Sequence, residues 1–550
     1  MCTQIAENET KAQTFWENLL SYNRGFESQT ALICGRREMP YGELFGAVSQ
    51  AAKGLSRAGV REGNIIPVFS LSTPETVAAF YALNQIGAIS DWIDIKTTDK
   101  EIRRRLEEAG TRLVVVLELC LPQILRCLEG TAVEKIVVLP LRPYLPKEVN
   151  QAIFQKHNHV TGLPDRRVIW WKEVVCSKET EEGVEAPFEA GKPAVIAYTG
   201  GTTGNPKGVL LSNESINTLI RQYRIRLPHV KRGQRALNLL PPFAMYGLCA
   251  SIHLSLCLGL TTTMIPLFRP RDFGECLLRE KPDHVNGTTS FWEALLQSEE
   301  AKNGDFSFLE SPGTGGDGMT AELEQEINHF LAEHHASCRL IKGYGMTEVC
   351  ATACLCTPES NELGSVGLPM PGNKIRIQDP ETGLELPTGQ VGEILIHSPA
   401  VMLGYLNNEK ETRELLRKDH GGKLWVYTKD LGYVKSNGAL FVVGRLKRMF
   451  TRSGFKIYPS IIENLLAGHS AVQSCAVVGI PGLQGETTPR AYVVVRKDFI
   501  GCESSLRKEL LDLCRSNLNR FEVPEEVRFL QEIPKTNLEK VDYQSLEQEG

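Results

Sequence analysis

Apolar positions along the first four hundred or so residues fall into two alternating patterns. Short runs rich in β-branched residues, such as "NIIPVFSL", "RLVVVLEL", "EKIVVLPL" and "AVIAY", predict buried strands. Between them lie segments with helical spacing, such as "PETVAAFYALNQIGA". Strands that alternate with helices predict parallel sheets with helical crossovers. After about residue 364 the texture changes. "GSVGLPMPGNKIRIQDPETGLELPTGQVGEILIHSPAVMLGYL" breaks short strands with Pro-Gly, Thr-Gly and Gly-Gln turns, which predicts a small twisted barrel or meander. Beyond Arg445, "PSIIENLLAGH", "AVQSCAVVGIP", "PRAYVVV" and "SLRKELLDLCRSNL" predict a compact α+β unit of domain size. The expected fold class is therefore α/β: a large N-terminal domain of parallel-rich sheets with helices and a small barrel subdomain, then a small α+β C-terminal domain.

Composition narrows the function classes. The 550 residues carry a formal net charge of −5, which argues against a broad nucleic-acid footprint. The N-terminus lacks the basic-then-apolar order of a signal peptide. The least charged stretch, 247–268, is long enough to span a bilayer, but it holds a histidine, two serines and three consecutive threonines. It reads as a buried helix followed by a strand, so no transmembrane segment is expected. The 15 scattered cysteines fit free thiols in a reducing cytoplasm better than a disulfide framework. Cys350, Cys354 and Cys356 read as buried apolar side chains, with no second pair or nearby histidine to complete a metal site.

One stretch demands more. "YTGGTTGNPKGVLLS" packs glycines, threonine hydroxyls and a lysine between two apolar runs. Such a turn exposes successive backbone N–H groups to an anion, and glycine allows close approach. Thr199, Thr202 and Thr203 add hydroxyl donors and Lys207 adds charge. The P-loop order is not met, because Gly208 follows Lys207. The stretch therefore points to phosphate handling of another kind. "GTGGDG", at 313–318, matches the dinucleotide-binding spacing, but "DFSFLESP" before it does not read as a clear strand. The match is coincidental for NAD, though Gly315 and Gly316 suit a close-approach loop beside a nucleotide.

Further along come "GYGMTE", "YTKDLGY", "GRLKRMFTRSGFKIYPSIIE" and "IPKTNLEKV". Taken singly, Asp430 is a turn residue, Arg445 a surface charge and Lys540 a tail lysine. In this order, and over nearly the whole chain, the motifs resemble the adenylate-forming superfamily of acyl- and aryl-CoA ligases, firefly luciferase and peptide-synthetase adenylation domains. Lys429 and Glu539 stand where the family motifs usually carry glycine.

The resemblance implies roles. Thr199, Gly200, Gly201, Thr202, Thr203, Gly204 and Lys207 would hold the β- and γ-phosphates of ATP. Tyr344, beside Gly345, would stack on adenine. Thr347 would contact the α-phosphate and Glu348 would help bind Mg²⁺. Asp430 would accept hydrogen bonds from the ribose, with Arg445 nearby, and Lys540 would bridge the attacking carboxylate and the α-phosphate. The lysine must fold back on its own mobile domain, which divides the chain into 1–446 and 447–550. Lys447 would be the hinge, and Gly454 would lie near the pantetheine tunnel of CoA. The acid pocket would start at Ala244, Met245, Tyr246 and Gly247. No aspartate lies in 241–265 to pair with an amine, so a hydrophobic carboxylic acid, a fatty acid above all, is favoured over an amino acid. Aryl acids remain open, with Tyr246 as a stacking wall. CoA is the expected acceptor, a separate acyl carrier protein the second choice. A catalytically weak adenylate sensor is the non-enzyme alternative, motivated by Lys429 and Glu539.

Overall fold

A computed structural model describes residues 12–154, 165–176, 184–199, 206–453, 455–482, 486–496, 499–535 and 541–548. The predicted strands form where the apolar runs lie, at Ile65–Phe69, Leu113–Leu117, Lys135–Leu139 and Pro193–Tyr198. They join one sheet in the order Gly404–Tyr405, Gly208–Ser212, Pro193–Tyr198, Ile89–Trp92, Ile65–Phe69, Leu113–Leu117, Lys135–Leu139, Val168–Trp170. Its central pairings are parallel. All five residues of Leu113–Leu117 are buried, which explains a continuous apolar run rather than an alternating one. The helix Pro74–Ile86 is buried on every side, with Thr73 capping its N-terminus and Pro74 opening its first turn.

A second sheet runs Leu368–Pro369, Cys354–Leu355, Ile341–Tyr344, Ser311–Thr314, His284–Gly287, Arg235–Asn238, Thr261–Met264, Thr30–Cys34, Arg37–Pro40. One continuous apolar core joins the two sheets through the helices between them. The stretch 247–268 is indeed helix and strand, but the helix contains a π-helical segment, Leu248–His253, before the strand Thr261–Met264. Among the described residues no helix is long and apolar enough to cross a membrane. Cys350, Cys354 and Cys356 are buried.

The reading of the segment before "GTGGDG" needs correction. Ser311–Thr314 is a strand in the parallel part of the second sheet, paired on both sides. Pro312 hid it, because a proline cannot donate to a ladder. No helix opens on the glycines, however. The next helix, Ala321–Glu333, starts after its cap Thr320.

Of the stretch read as a meander, Lys374–Gln378 and Gly392–His397 join the later strands Leu424–Val434, Leu416–Lys418 and Leu440–Arg445 in a five-stranded antiparallel sheet, whereas Leu368–Pro369 and Gly404–Tyr405 are end strands of the other two sheets. Beyond Arg445, the strands Val472–Pro481, Thr487–Val495 and Glu526–Leu530 pack on helices Pro459–Ala467 and Glu503–Asn517 around their own apolar residues. Polar pairs join this unit to the rest of the chain, among them Arg496 with Glu326 at 2.6 Å and Lys456 with Glu381 at 3.1 Å. Exposed pairs of this kind contribute little energy and can be exchanged at small cost.

Asp91, on the strand Ile89–Trp92, is 1% exposed. Burial raises its pKa to about 7, against the opposing pull of Arg105 and a hydrogen bond with Tyr198. A raised carboxyl pKa means that the folded state holds a proton the unfolded chain has lost. Stability is then greatest below the ordinary carboxyl range and falls as pH rises towards 7. Asp91→Asn is expected to flatten this slope and to add roughly 1–3 kcal/mol at about pH 8. Chemical denaturation of both proteins at acidic and alkaline pH reads this directly. Parallel pH dependence in the two would contradict it.

Candidate active site

The glycine-rich stretch is the connection of an antiparallel pair. Pro193–Tyr198 runs out, Gly208–Ser212 returns, and Tyr198 is opposite Gly208. The ends are tied by Thr199 N–H to Lys207 O at 3.0 Å and Lys207 N–H to Thr199 Oγ1 at 3.3 Å. Gly200, Gly201, Thr202, Thr203 and Gly204 lie outside the described residues. The Arg105 guanidinium sits 3.5 Å from the Tyr198 ring centre, below the base of this connection.

The short strand Gly404–Tyr405 pairs with Gly208–Ser212, with Tyr405 opposite Val209. This pairing brings Tyr405 to a residue 57 positions earlier: its hydroxyl donates to Glu348 Oε1 at 2.6 Å. Glu348 lies in the turn Thr347–Val349 and is buried. Burial raises its pKa, while the Tyr405 hydrogen bond and nearby Lys207 act the other way. Lys207 lies 5.1 Å from the Tyr405 ring centre and forms an ion pair with Glu411. Sequence reading missed Tyr405 and Glu411, because nothing local to "GYLNNEKE" signals a partner two hundred residues away.

A second group meets at the end of the strand Ile341–Tyr344. Tyr344 donates its hydroxyl to Asp430 Oδ2 at 2.7 Å, and Arg445 Nε lies 3.1 Å from Asp430 Oδ1. Asp430 and Arg445 are register partners on adjacent strands. The aim of Asp430 depends on an irregularity beside Lys429. The register between Gly392–His397 and Leu424–Val434 shifts there, and Lys429 takes a left-handed backbone with φ +61°. Its N–H donates to Glu393 Oε1 at 3.0 Å. A bulge of this kind re-aims the next side chain. The position explains the family's usual glycine. A lysine there costs roughly 1–2 kcal/mol of left-handed strain, against roughly 0.5–1 kcal/mol of extra chain entropy that a glycine would lose. Lys429→Gly is therefore expected to stabilise the protein by roughly 0.5–1 kcal/mol. A lower denaturation midpoint in the variant would contradict this.

Two glycines around this site, Gly345 and Gly247, are there for space, while Gly316 takes a left-handed backbone with φ +83°. A Cβ on Gly345 would lie 1.7 Å from Ala351 O. Gly315 and Gly316 face the Tyr246 ring, to which added Cβ atoms would stand 3.6 and 3.8 Å away. Tyr246 donates to Gly287 O at 3.3 Å, and its ring lies beside Gly315 and Gly316. Ala244 precedes the helical turn Met245–Gly247, and a Cβ on Gly247 would meet Pro241 O at 2.1 Å. Ala244, Met245, Tyr246, Gly247, Gly315, Gly316, Tyr344 and Gly345 line one continuous cleft of about 2670 Å³, together with Lys207, Glu348, Asp430 and Arg445.

Lys447 lies in the single turn Leu446–Arg448 and also lines the cleft. Lys540 and Gly454 fall outside the described residues. Lys535 and Val541, which flank Lys540 and bridge each other, both line the cleft.

The sequence profile of AMP-binding enzymes matches residues 21–406, and that of the AMP-binding enzyme C-terminal domain matches 461–540. The chain belongs to the AMP-binding enzyme family. It is 28% identical to a long-chain-fatty-acid–CoA ligase of Bacillus subtilis strain 168 over 94% of this chain and 91% of that one. It is 27% identical to a 4-coumarate–CoA ligase-like protein of Arabidopsis thaliana, over 92% and 86%. Among solved structures, ATP-bound MatB from Rhodopseudomonas palustris superposes with a TM-score of 0.83 at 21% identity, over 98% of this chain and 99% of that one. A benzoate CoA ligase from Burkholderia xenovorans does so with a TM-score of 0.81 at 21% identity, over 97% and 100%. These structures share the fold of this AMP-binding enzyme.

Proposed function

We propose that this enzyme activates a hydrophobic carboxylic acid with ATP and passes the acyl group to CoA. The reading rests above all on the group of Tyr344, Asp430 and Arg445. It offers an aromatic face for a base, and beside it a carboxylate that can accept from ribose hydroxyls. Thr199 and Lys207 mark the phosphate end, with Thr347 and Glu348 on the same cleft. Lys207 would exchange Glu411 for phosphate oxygens.

A carboxylate attacks poorly at a phosphate, because both are negative. Preorganised donors at the developing charge supply most of the help such a step needs. In the first step a carboxylate oxygen bonds to the α-phosphorus and pyrophosphate leaves with its electron pair. Lys540 would bridge the two anions there. In the second step the CoA sulfur bonds to the acyl carbon and AMP leaves. The segment 447–550 would move about Lys447 between the steps, a motion that its polar contacts with the rest of the chain allow at small cost. Gly454 would then lie beside the pantetheine arm.

Glu348 fits a magnesium ion. Its buried carboxylate has one oxygen held by Tyr405 and is a hard donor. Magnesium held there with the phosphates would neutralise their charge. Tyr405 fixes the carboxylate's orientation.

The apolar lining beyond Tyr246, including Ala250 and Leu254, supports a fatty acid rather than an aryl acid. Turnover of a panel of aliphatic acids beside benzoate and 4-coumarate, with the thioester identified by mass, tests this. Preference for an aryl acid would overturn the fatty-acid assignment and leave the ligase reading in place.

A further inference from the structure

The base of the glycine-rich connection rests on charged groups that packing alone does not call for. Asp91 is the register partner of Ile196, and Tyr198 lies two residues further on, so the three side chains share one face of the first sheet. The helix Asp99–Ala109 brings Arg105 to that face, with its guanidinium 3.5 Å from the Tyr198 ring centre. The Tyr198 hydroxyl donates to the Asp91 carboxyl. Arg105 and Asp91 are both buried, and Asp91 Oδ1 has no hydrogen-bond partner among the described residues. Arg105 Nε donates to Glu101 Oε1 at 2.9 Å, and Glu101 also holds Arg104.

Tyr198 is thus held at its ring face by Arg105 and at its hydroxyl by Asp91. The ring lies beside the returning strand, where a Cβ on Gly208 would stand 3.4 Å from Tyr198 Cε1. Thr199 follows directly in the chain, and its two hydrogen bonds with Lys207 carry any tilt of the ring into both residues. Tyr198, Thr199 and Lys207 all line the cleft. Burying a carboxyl and a guanidinium beside one ring costs a fold more than an apolar pair of similar volume would. The cost is explained by what the ring supports.

We propose that Arg105 and Asp91 are positioning residues for the phosphate end of the site: together they fix the Tyr198 ring, and through it the direction in which Thr199 and Lys207 meet the β- and γ-phosphates of ATP. This rests on the ligase reading, which makes ATP the ligand, and deepens it. AMP carries neither of those phosphates. Loosening the ring therefore weakens ATP and spares AMP, whereas a general defect of the fold weakens both.

The test is equilibrium binding of ATP with Mg²⁺, and of AMP, to the full chain and to Arg105→Leu, Tyr198→Leu and the double variant, by calorimetry. Arg105→Leu is expected to weaken ATP by about tenfold and AMP by less than about twofold. Arg105→Lys, which keeps a cation for the ring, should recover most of the loss. The double variant should bind ATP no more weakly than Tyr198→Leu alone, because Arg105 acts through the ring. Additive losses would show that Arg105 meets the phosphates directly and would overturn the positioning role. Equal losses for ATP and AMP, or no loss, would overturn it too. Should Arg105→Leu fail to fold, Tyr198→Phe decides, since it keeps the ring and sheds only the hydroxyl that Asp91 holds. About fivefold weaker ATP with AMP unchanged is expected there, and unchanged ATP affinity contradicts the proposal. A wild-type protein that binds ATP but releases no pyrophosphate with any acid would sink the ligase reading and leave this assignment to the binding data. One that binds neither nucleotide would sink both.

Discussion

Lys540→Ala is expected to slow acyl-adenylate formation by about a hundredfold to a thousandfold, the usual cost of removing one donor at a developing charge. The attacking carboxylate and the α-phosphate repel each other, and no neutral side chain can bridge them. The same variant should retain most of its rate in making thioester from preformed acyl-AMP and CoA, because Lys540 would leave the site before that step. This split separates a catalytic lysine from a structural one. A structural lysine would depress both half-reactions alike. Glu539 adds a negative charge beside this lysine, and Glu539→Gly is the companion variant. A faster adenylation step there would show that Glu539 draws on the charge of Lys540.

The second large effect is expected at Glu348. Glu348→Gln should lower adenylation by about a hundredfold or more, through loss of the negative charge that would face magnesium and phosphate. It should also raise the melting temperature of the ligand-free protein. The reason is the cost of keeping a carboxylate buried, the largest cause of its raised pKa. A glutamine keeps the acceptor for the Tyr405 hydroxyl and sheds the charge. Activity and stability would thus move in opposite directions. A variant that is both less active and less stable would contradict the claim that this charge is held at the expense of the fold.

Much of this was legible in the sequence, for a local reason. Strands such as Leu113–Leu117 are buried on both faces and read as continuous apolar runs. Motifs built from backbone and short side chains stay contiguous, so "YTGGTTGNPKG" and "GYGMTE" stand out in the sequence as candidates. Long-range partners could not. Tyr405 reaches Glu348 only because its strand pairs beside the base of the glycine-rich connection. The strand Ser311–Thr314 was hidden by its proline. The π-helical segment left no signal, since a wider helical turn changes neither composition nor apolar count. Lys429 was read as a departure from glycine, but only the backbone shows the left-handed position that glycine would relieve.

Pyrophosphate release from ATP and Mg²⁺ on addition of a fatty acid, measured with and without CoA and with the acyl product identified by mass, tests the central claim most directly. The account expects acid-dependent release that CoA stimulates, with one acyl-CoA formed for each AMP. Release without consumption of CoA would contradict the assigned acceptor and point to a carrier protein. Tight binding of an acyl-AMP analogue without any release, whatever the acid, would contradict catalysis and leave an adenylate sensor.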